Sequence, residues 1–224
     1  MERKIIKTAD GSVTIHLPEW DEHYHSKHGA VQEALHVFIK MGLLHFIKKT
    51  SKSQVSVLEI GFGTGLNAFL TFLESQKLQL EIKYTGVEAY PISTEEISAL
   101  NYAEKLSVEN LSWVLQKMHD CPWEVQNEIS ENFKLEKLQK KFDEISARDG
   151  FDIIYFDAFG ARVQPELWTE EIFEIMYAAL KAEGVLVTYS AKGSVRRALQ
   201  KVGFVVERLP GPPGKREMLR ATKI

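Results

Sequence analysis

The chain has a single cysteine, Cys121, in 224 residues, so an internal disulfide framework is excluded and a reducing compartment fits. No apolar run approaches the roughly 18–20 residues a membrane helix needs. Met1–Thr8 is polar and charged with no apolar core behind it, so no secretory leader is expected. Charge of one sign is also missing: 28 Lys and Arg against 31 Asp and Glu leave a net charge of −3. Any polyanion must therefore meet a local basic patch rather than a global field. His23, His25 and His28 lack tetrahedral ligand spacing and have no cysteine beside them, so no metal is expected. Cys121 is expected to be an inert thiol. No repeat or low-complexity segment occurs. With 44% hydrophobic and 26% charged residues, the expectation is a soluble, cytoplasmic, single domain spanning 1–224.

What is present is an alternation of strand and helix patterns. Lys4–Thr8 and Ser12–Leu17 flank Asp10-Gly11, a tight-turn signal, and predict a hairpin. Ala30–Lys49 has a helical apolar period, so residues 1–50 form a hairpin-and-helix extension. From residue 51 onward the pattern predicts strands at Val55–Ile60, Ile82–Glu88, Phe133–Gln139, Phe151–Asp157, Gly184–Ser190, Phe204–Leu209 and Met218–Thr222. Helices are predicted at Leu66–Leu73, Ser93–Leu106, Glu170–Leu180 and Ser194–Val202. Leu111–Asn132 reads as helical in pieces, broken near Cys121-Pro122. Such alternation predicts an α/β fold, an open, mostly parallel sheet covered by helices on both faces.

Glu59-Ile-Gly61-Phe62-Gly63-Thr-Gly65 joins a strand to a helix. Its glycines allow a tight turn and close approach of a ligand to the backbone, and the helix start behind them offers free N–H groups. The spacing is shorter than that of dinucleotide enzymes and is led by an acid, the usual form for S-adenosylmethionine. Glu59 can meet the cofactor's ammonium while the loop amides meet its carboxylate. Glu88, followed by Ala89, closes the second strand, where a carboxylate can accept both ribose hydroxyls.

Asp157 stands at the carboxyl end of a central strand, the edge at which open α/β sheets bind ligands. There it can orient an attacking amine and accept its hydrogen bond. Phe159 and Trp168 are candidates for a wall against which a base stacks. Residues 181–224 carry ten Lys and Arg against three acids, a local excess able to track a phosphate backbone.

Taken together, Glu59-Ile-Gly-Phe-Gly-Thr-Gly-Leu-Asn67, Phe156-Asp-Ala-Phe159, Pro165-Glu-Leu-Trp168 and Lys215-Arg-Glu-Met218 resemble the methyltransferase part of the bifunctional MnmC tRNA-modification enzymes. Asp10-Gly-Ser-Val-Thr14 and Ser190-Ala-Lys-Gly-Ser-Val-Arg-Arg197 add to the resemblance, which runs in order along nearly the whole chain. It implies a class I Rossmann-like methyltransferase sheet of seven strands with the last antiparallel. It also implies S-adenosylmethionine-dependent conversion of 5-aminomethyl-(2-thio)uridine to 5-methylaminomethyl-(2-thio)uridine at the tRNA wobble position. By the resemblance, Asp157 is catalytic, and Tyr24, Glu59, Gly61, Phe62, Gly63, Gly65, Asn67, Glu88 and Ala89 join it around the cofactor. Phe159, Trp168, Lys192, Arg196, Arg197, Lys215 and Arg216 are expected to face the RNA. The chain ends at Ile224, directly after these motifs. That predicts the stand-alone form without the flavin half, its precursor supplied by a separate FAD-dependent oxidase or another enzyme.

Two departures from the family pattern stand out. Lys140-Lys141 replaces the Gly-Asp whose acid reaches adenine, leaving backbone groups, Gln139 or Asp143 for that task. Tyr24-His25-Ser26 stands where the family has Tyr-Phe-Ser. Two other readings share the sheet and the acid at its edge: an aminopropyltransferase of polyamine synthesis, and a catalytically silent protein that binds the cofactor or RNA. The basic C-terminal segment argues against a cationic polyamine, and Glu88 with Asp157 argues against silence.

Overall fold

A computed structural model describes residues 2–224. Strands β1 (Lys4–Lys7) and β2 (Val13–Leu17) form the expected antiparallel hairpin, and a two-residue β3 (Glu22–His23) pairs with β2 to make a small third strand. The turn is held by Asp10, which accepts from Thr8 Oγ1 at 2.7 Å and Ser12 N at 2.9 Å.

Residues 30–50 form one helical rod in three parts: α1 (Ala30–Ala34), a π-helical stretch (Leu35–Leu44) and α2 (His45–Thr50). The π-helical part surrounds Gly42, where an added Cβ would lie 3.0 Å from Val187 and 3.3 Å from Tyr155. The rod is wedged there against the sheet. By length and composition it is apolar enough to cross a membrane, but more than half of its most apolar stretch is buried inside the protein.

The main sheet contains β4 (Gln54–Ile60), β5 (Glu81–Val87), β6 (Gln126–Ser130), β7 (Phe133–Leu138), β8 (Phe151–Phe156), β9 (Leu180–Thr188), β10 (Val205–Pro210) and β11 (Glu217–Thr222). Their order is β10-β11-β9-β8-β4-β5-β7-β6. The strands from β9 to β7 run parallel, and β11 is antiparallel to both neighbours. The α/β class is as expected, with one strand more than the seven anticipated. The addition, β6, lies where helix was predicted: α6 (Ser112–Asp120) stops before Cys121-Pro122, and the polar segment after it pairs with β7.

Helix α3 (Leu66–Leu78) follows β4; α4 (Thr94–Ser98) and α5 (Tyr102–Lys105) follow β5. A single helix was predicted for these last two. It is interrupted because Asn101 turns to the hairpin, accepting from Val13 N at 2.8 Å and donating to Gly11 O at 3.1 Å. Helices α7 (Glu170–Ala179) and α8 (Gly193–Val202) cover the face opposite the N-terminal rod. At the far edge of the sheet Asp152 is held by Lys52 at 2.8 Å and Lys181 at 2.9 Å.

Candidate active site

Four parallel strands deliver their next residues to one edge: Ile60 leads to Gly61, Val87 to Glu88, Phe156 to Asp157, and Thr188 to Tyr189. A cavity of about 1150 Å³ opens there, roofed by Leu17 and residues 20–28, from the end of the N-terminal sheet and the segment after it. Of the residues expected from sequence, Tyr24, Glu59, Gly61, Phe62, Gly63, Asn67, Glu88, Ala89, Asp157, Phe159 and Lys215 line it.

The glycine loop needs its glycines. Gly61 has φ +90, and a Cβ on it would sit 2.8 Å from Asp157 O. Gly63 has φ +49, with the Tyr24 ring resting on it at 3.1 Å from that imagined Cβ. The loop is pinned to β5, with Gly61 N and Phe62 N both donating to Val87 O at 3.0 Å. Gly65 lies behind the cavity wall as the left-handed residue preceding α3, against His119 and Phe62.

Glu88 accepts from Gly63 N at 3.1 Å and Tyr90 N at 2.9 Å. Each oxygen keeps further acceptor capacity, and the two bonds fix the carboxylate's plane at the cavity wall.

Glu59 is 1% exposed. It accepts from Asn67 Nδ2 at 2.8 Å and from the Tyr84 hydroxyl at 2.8 Å. Burial raises its proton affinity well above the ordinary carboxylate range, helped by Asp157 and against the bonds from Asn67 and Tyr84. Asn67 Nδ2 also donates to Asp157 Oδ2 at 2.9 Å. Burial and the Glu33 charge push Asp157 up to about 7, against the Asn67 bond and the Lys215 charge. A carboxyl poised there exchanges a proton readily near neutral pH.

The residues fit an S-adenosylmethionine molecule. Among the described residues Asn67 Oδ1 is a buried acceptor with no partner, on a side chain whose Nδ2 bonds the carboxyls of Glu59 and Asp157, and such a free acceptor suits an ammonium. The loop glycines leave the backbone free of side chains where a ligand would approach, but the N–H groups of Gly61, Phe62, Gly63 and Gly65 are donated within the protein, to Val87 O, Glu88 and Phe62 O, rather than left open for a carboxylate as expected; Glu88 suits a ribose.

Several expected residues lie elsewhere. Trp168 is 6% exposed and does not line the cavity. It packs on Phe156 and donates to Phe159 O at 2.8 Å, so it stands behind the wall that Phe159 forms. The aromatics that do flank Phe159 inside the cavity are Tyr24 and Trp20, with ring centroids 5.1 Å and 5.8 Å from its own. Lys215 is inside the cavity, 2.6 Å from Glu33. Lys192, Arg197 and Arg216 are exposed and Arg196 half-buried. Among the described residues these four have no carboxylate partner, unlike Lys181, Lys201, Arg208, Arg220 and Lys223.

The segment after β7 brings Lys141, Phe142 and Asp143 to the cavity, whereas Gln139 does not line it and its N–H is taken by Glu124. The three N-terminal histidines have separate attachments. His23 stacks on His16 at 4.3 Å, His25 bonds Thr14 Oγ1 at 3.1 Å, and His28 packs under Gly214. Glu33 and Tyr189 were not anticipated. Tyr189, at a strand's carboxyl end, carried the same positional signal as Asp157. Glu33 carried none beyond being an acid on an apolar helix.

A mostly parallel sheet whose β11 is reversed between β10 and β9, a glycine loop after β4 and acids after β5 and β8 define the class I methyltransferases. Residues 100–224 match the family described as S-adenosyl-L-methionine-dependent methyltransferase, and the chain belongs to that family. It is 32% identical over 221 residues to the tRNA 5-methylaminomethyl-2-thiouridine biosynthesis bifunctional protein MnmC of Marinomonas sp., covering 91% of this chain and 31% of that protein. The protein of the same name from Nitrosospira multiformis is 29% identical over 211 residues, 88% of this chain and 33% of that one. The chain thus spans about a third of the length of these relatives.

Among solved structures it matches MNMC2 from Aquifex aeolicus with a TM-score of 0.79 and 25% identity, over 100% of this chain and 70% of that one. Spermidine synthase from Thermotoga maritima superposes with a TM-score of 0.58 at 18% identity, covering 99% of this chain and 68% of that one, which shows a shared fold.

Proposed function

We propose that this protein methylates the amine of a 5-aminomethyl-(2-thio)uridine at the wobble position of tRNA, giving the 5-methylaminomethyl product. The observation that carries the reading is Asp157, a carboxyl held by Asn67 Nδ2 at 2.9 Å on the wall of a cavity that also holds the glycine loop. The named function of the relatives, each matched along nearly the whole of this chain, supports an RNA acceptor.

Glu59, Asn67 and Glu88 would hold S-adenosylmethionine against the side-chain-free backbone of Gly61 and Gly63, with Tyr24 closing over the loop. When bound, the cofactor supplies a methyl group activated by a sulfonium and leaves as a neutral thioether. Asp157 accepts a hydrogen bond from the acceptor amine, keeps its lone pair in line, and takes up the proton the nitrogen sheds. Phe159 offers the base an apolar wall. Lys192, Arg196, Arg197 and Arg216 meet the phosphate backbone, since their charges are unspent. A cytoplasmic setting follows from a tRNA acceptor, and an oxidase activity or another enzyme supplies the aminomethyl precursor.

The test is incubation of the purified protein with S-adenosylmethionine and tRNA bearing the aminomethyl precursor, followed by nucleoside analysis. The reading predicts 5-methylaminomethyl nucleoside. Product formed only with decarboxylated cofactor and a polyamine would replace this reading with aminopropyl transfer. Cofactor binding without any product would leave a silent binder.

A further inference from the structure

We propose that Glu33 and Lys215 together read the edge of the acceptor base as a uracil, Lys215 donating to O4 and Glu33 accepting from N3–H. The inference rests on the tRNA-uridine reading above and assigns its base specificity to two residues of this chain.

Both side chains line the cavity that contains Asp157. Glu33, on α1, is 7% exposed; its Oε1 accepts from Ser26 N at 3.1 Å and its Oε2 from Lys215 Nζ at 2.6 Å. Lys215 comes from the loop between β10 and β11, and its ammonium lies 3.9 Å from the centroid of the Tyr189 ring. Tyr189 is itself fixed, its hydroxyl donating to Ala158 O at 2.8 Å, one residue from Asp157.

An ammonium carries three N–H donors and a carboxylate about four acceptor positions. One donor goes to Glu33 and another faces the ring; two acceptor positions are taken. One N–H and two lone pairs are left side by side. Leaving such capacity unused in a largely buried pair is unfavourable, and a ligand that completes it gains accordingly.

Uracil presents an acceptor, O4, next to a donor, N3–H. Cytosine presents the reverse, an amino donor next to a ring acceptor, and would set like against like. The substituted carbon C5 adjoins C4, so an amine held by Asp157 and a carbonyl held by Lys215 belong to neighbouring positions of one base. Reading a pocketed base through this edge is the usual solution for enzymes acting on single nucleotides. A phosphate is the wrong ligand here, because Glu33 would repel it.

The experiment uses the full chain and two anticodon stem-loop RNAs, one with 5-aminomethyluridine and one with 5-aminomethylcytidine at the wobble position. Wild type should favour the uridine substrate in kcat/KM by at least about tenfold, the scale of a good two-bond base contact. Glu33→Gln, whose amide can donate or accept, should lower kcat/KM for the uridine substrate about 10- to 100-fold and bring the preference near unity. Its affinity for S-adenosylmethionine should stay unchanged. Lys215→Arg keeps a donor and should keep the preference. Equilibrium binding of the two RNAs to Asp157→Ala should show the same discrimination. Absence of turnover therefore counts against the reaction, whereas equal binding of both RNAs overturns the edge reading. An unaltered preference in Glu33→Gln overturns it as well.

Discussion

The side-chain amide of Asn67 donates to Asp157 at 2.9 Å with one hydrogen and to the buried Glu59 at 2.8 Å with the other. The acid expected to meet the cofactor and the acid expected to meet the acceptor therefore share one amide. Replacing Asn67 with Leu removes both donors and leaves two carboxyl groups without them in a poorly solvated site. We predict weaker S-adenosylmethionine binding and a lower kcat together, by about tenfold or more each. Calorimetry and single-turnover rates check the pair; a change in one alone would uncouple the two carboxyl groups.

Glu88 should act on affinity only. Its oxygens are aimed by the N–H groups of Gly63 and Tyr90. Charge-assisted hydrogen bonds are worth about 1.5–3 kcal/mol, so Glu88→Ala should weaken cofactor binding by roughly 10- to 100-fold, with kcat at saturation little changed. Isothermal titration measures this.

Gly61→Ala combines φ +90 with a contact of 2.8 Å to Asp157 O. Strain of about 1–3 kcal/mol is expected, visible as a lower urea midpoint. Relief of that contact would shift the Asp157 backbone, so activity should fall further than stability alone explains.

Asp152 links pH to stability at the opposite edge of the sheet. Its burial, which would raise its pKa, is outweighed by Lys52, Lys181 and Ser56, and it lies near 2. A carboxyl depressed in the folded state stabilises above its unfolded value of about 3.9, and that contribution is lost as pH falls toward 2. Asp152→Asn should therefore cost on the order of 2 kcal/mol at pH 7 and almost nothing near pH 2. Denaturant melts at the two pH values give the difference.

If Lys192, Arg196, Arg197 and Arg216 bind phosphates, replacing all four with Gln should reduce the slope of log affinity against log salt. On single strands each phosphate contact contributes about 0.7 to that slope. Filter binding from low to high salt reads the slope, and an unaltered slope would move the RNA surface elsewhere.

The sheet was legible because its signals are local. Val55–Ile60, Ile82–Glu88 and Phe151–Asp157 are short apolar strands with chemistry-bearing residues at their ends, and all three pair in parallel. What was not legible depends on contacts distant in sequence. The π-helical stretch contains Gly42, whose close approach to Val187 and Tyr155 no local pattern announces. The polar β6 acquires its conformation from pairing with β7. Lys215 reads as one more cation in a basic segment until Glu33, 182 residues away, is found beside it. Trp168 shows the converse: a motif residue whose indole supports Phe159 from behind.

Asp157 itself supplies the most direct check. Transfer of an isotopically labelled methyl group to aminomethyl-bearing tRNA should be followed in a single turnover at saturating cofactor, in wild type and Asp157→Ala. The account predicts label on the wobble nucleoside with wild type, and a rate at least about 100-fold lower in the variant, at equal cofactor affinity. A variant that transfers the methyl group as fast as wild type would contradict it.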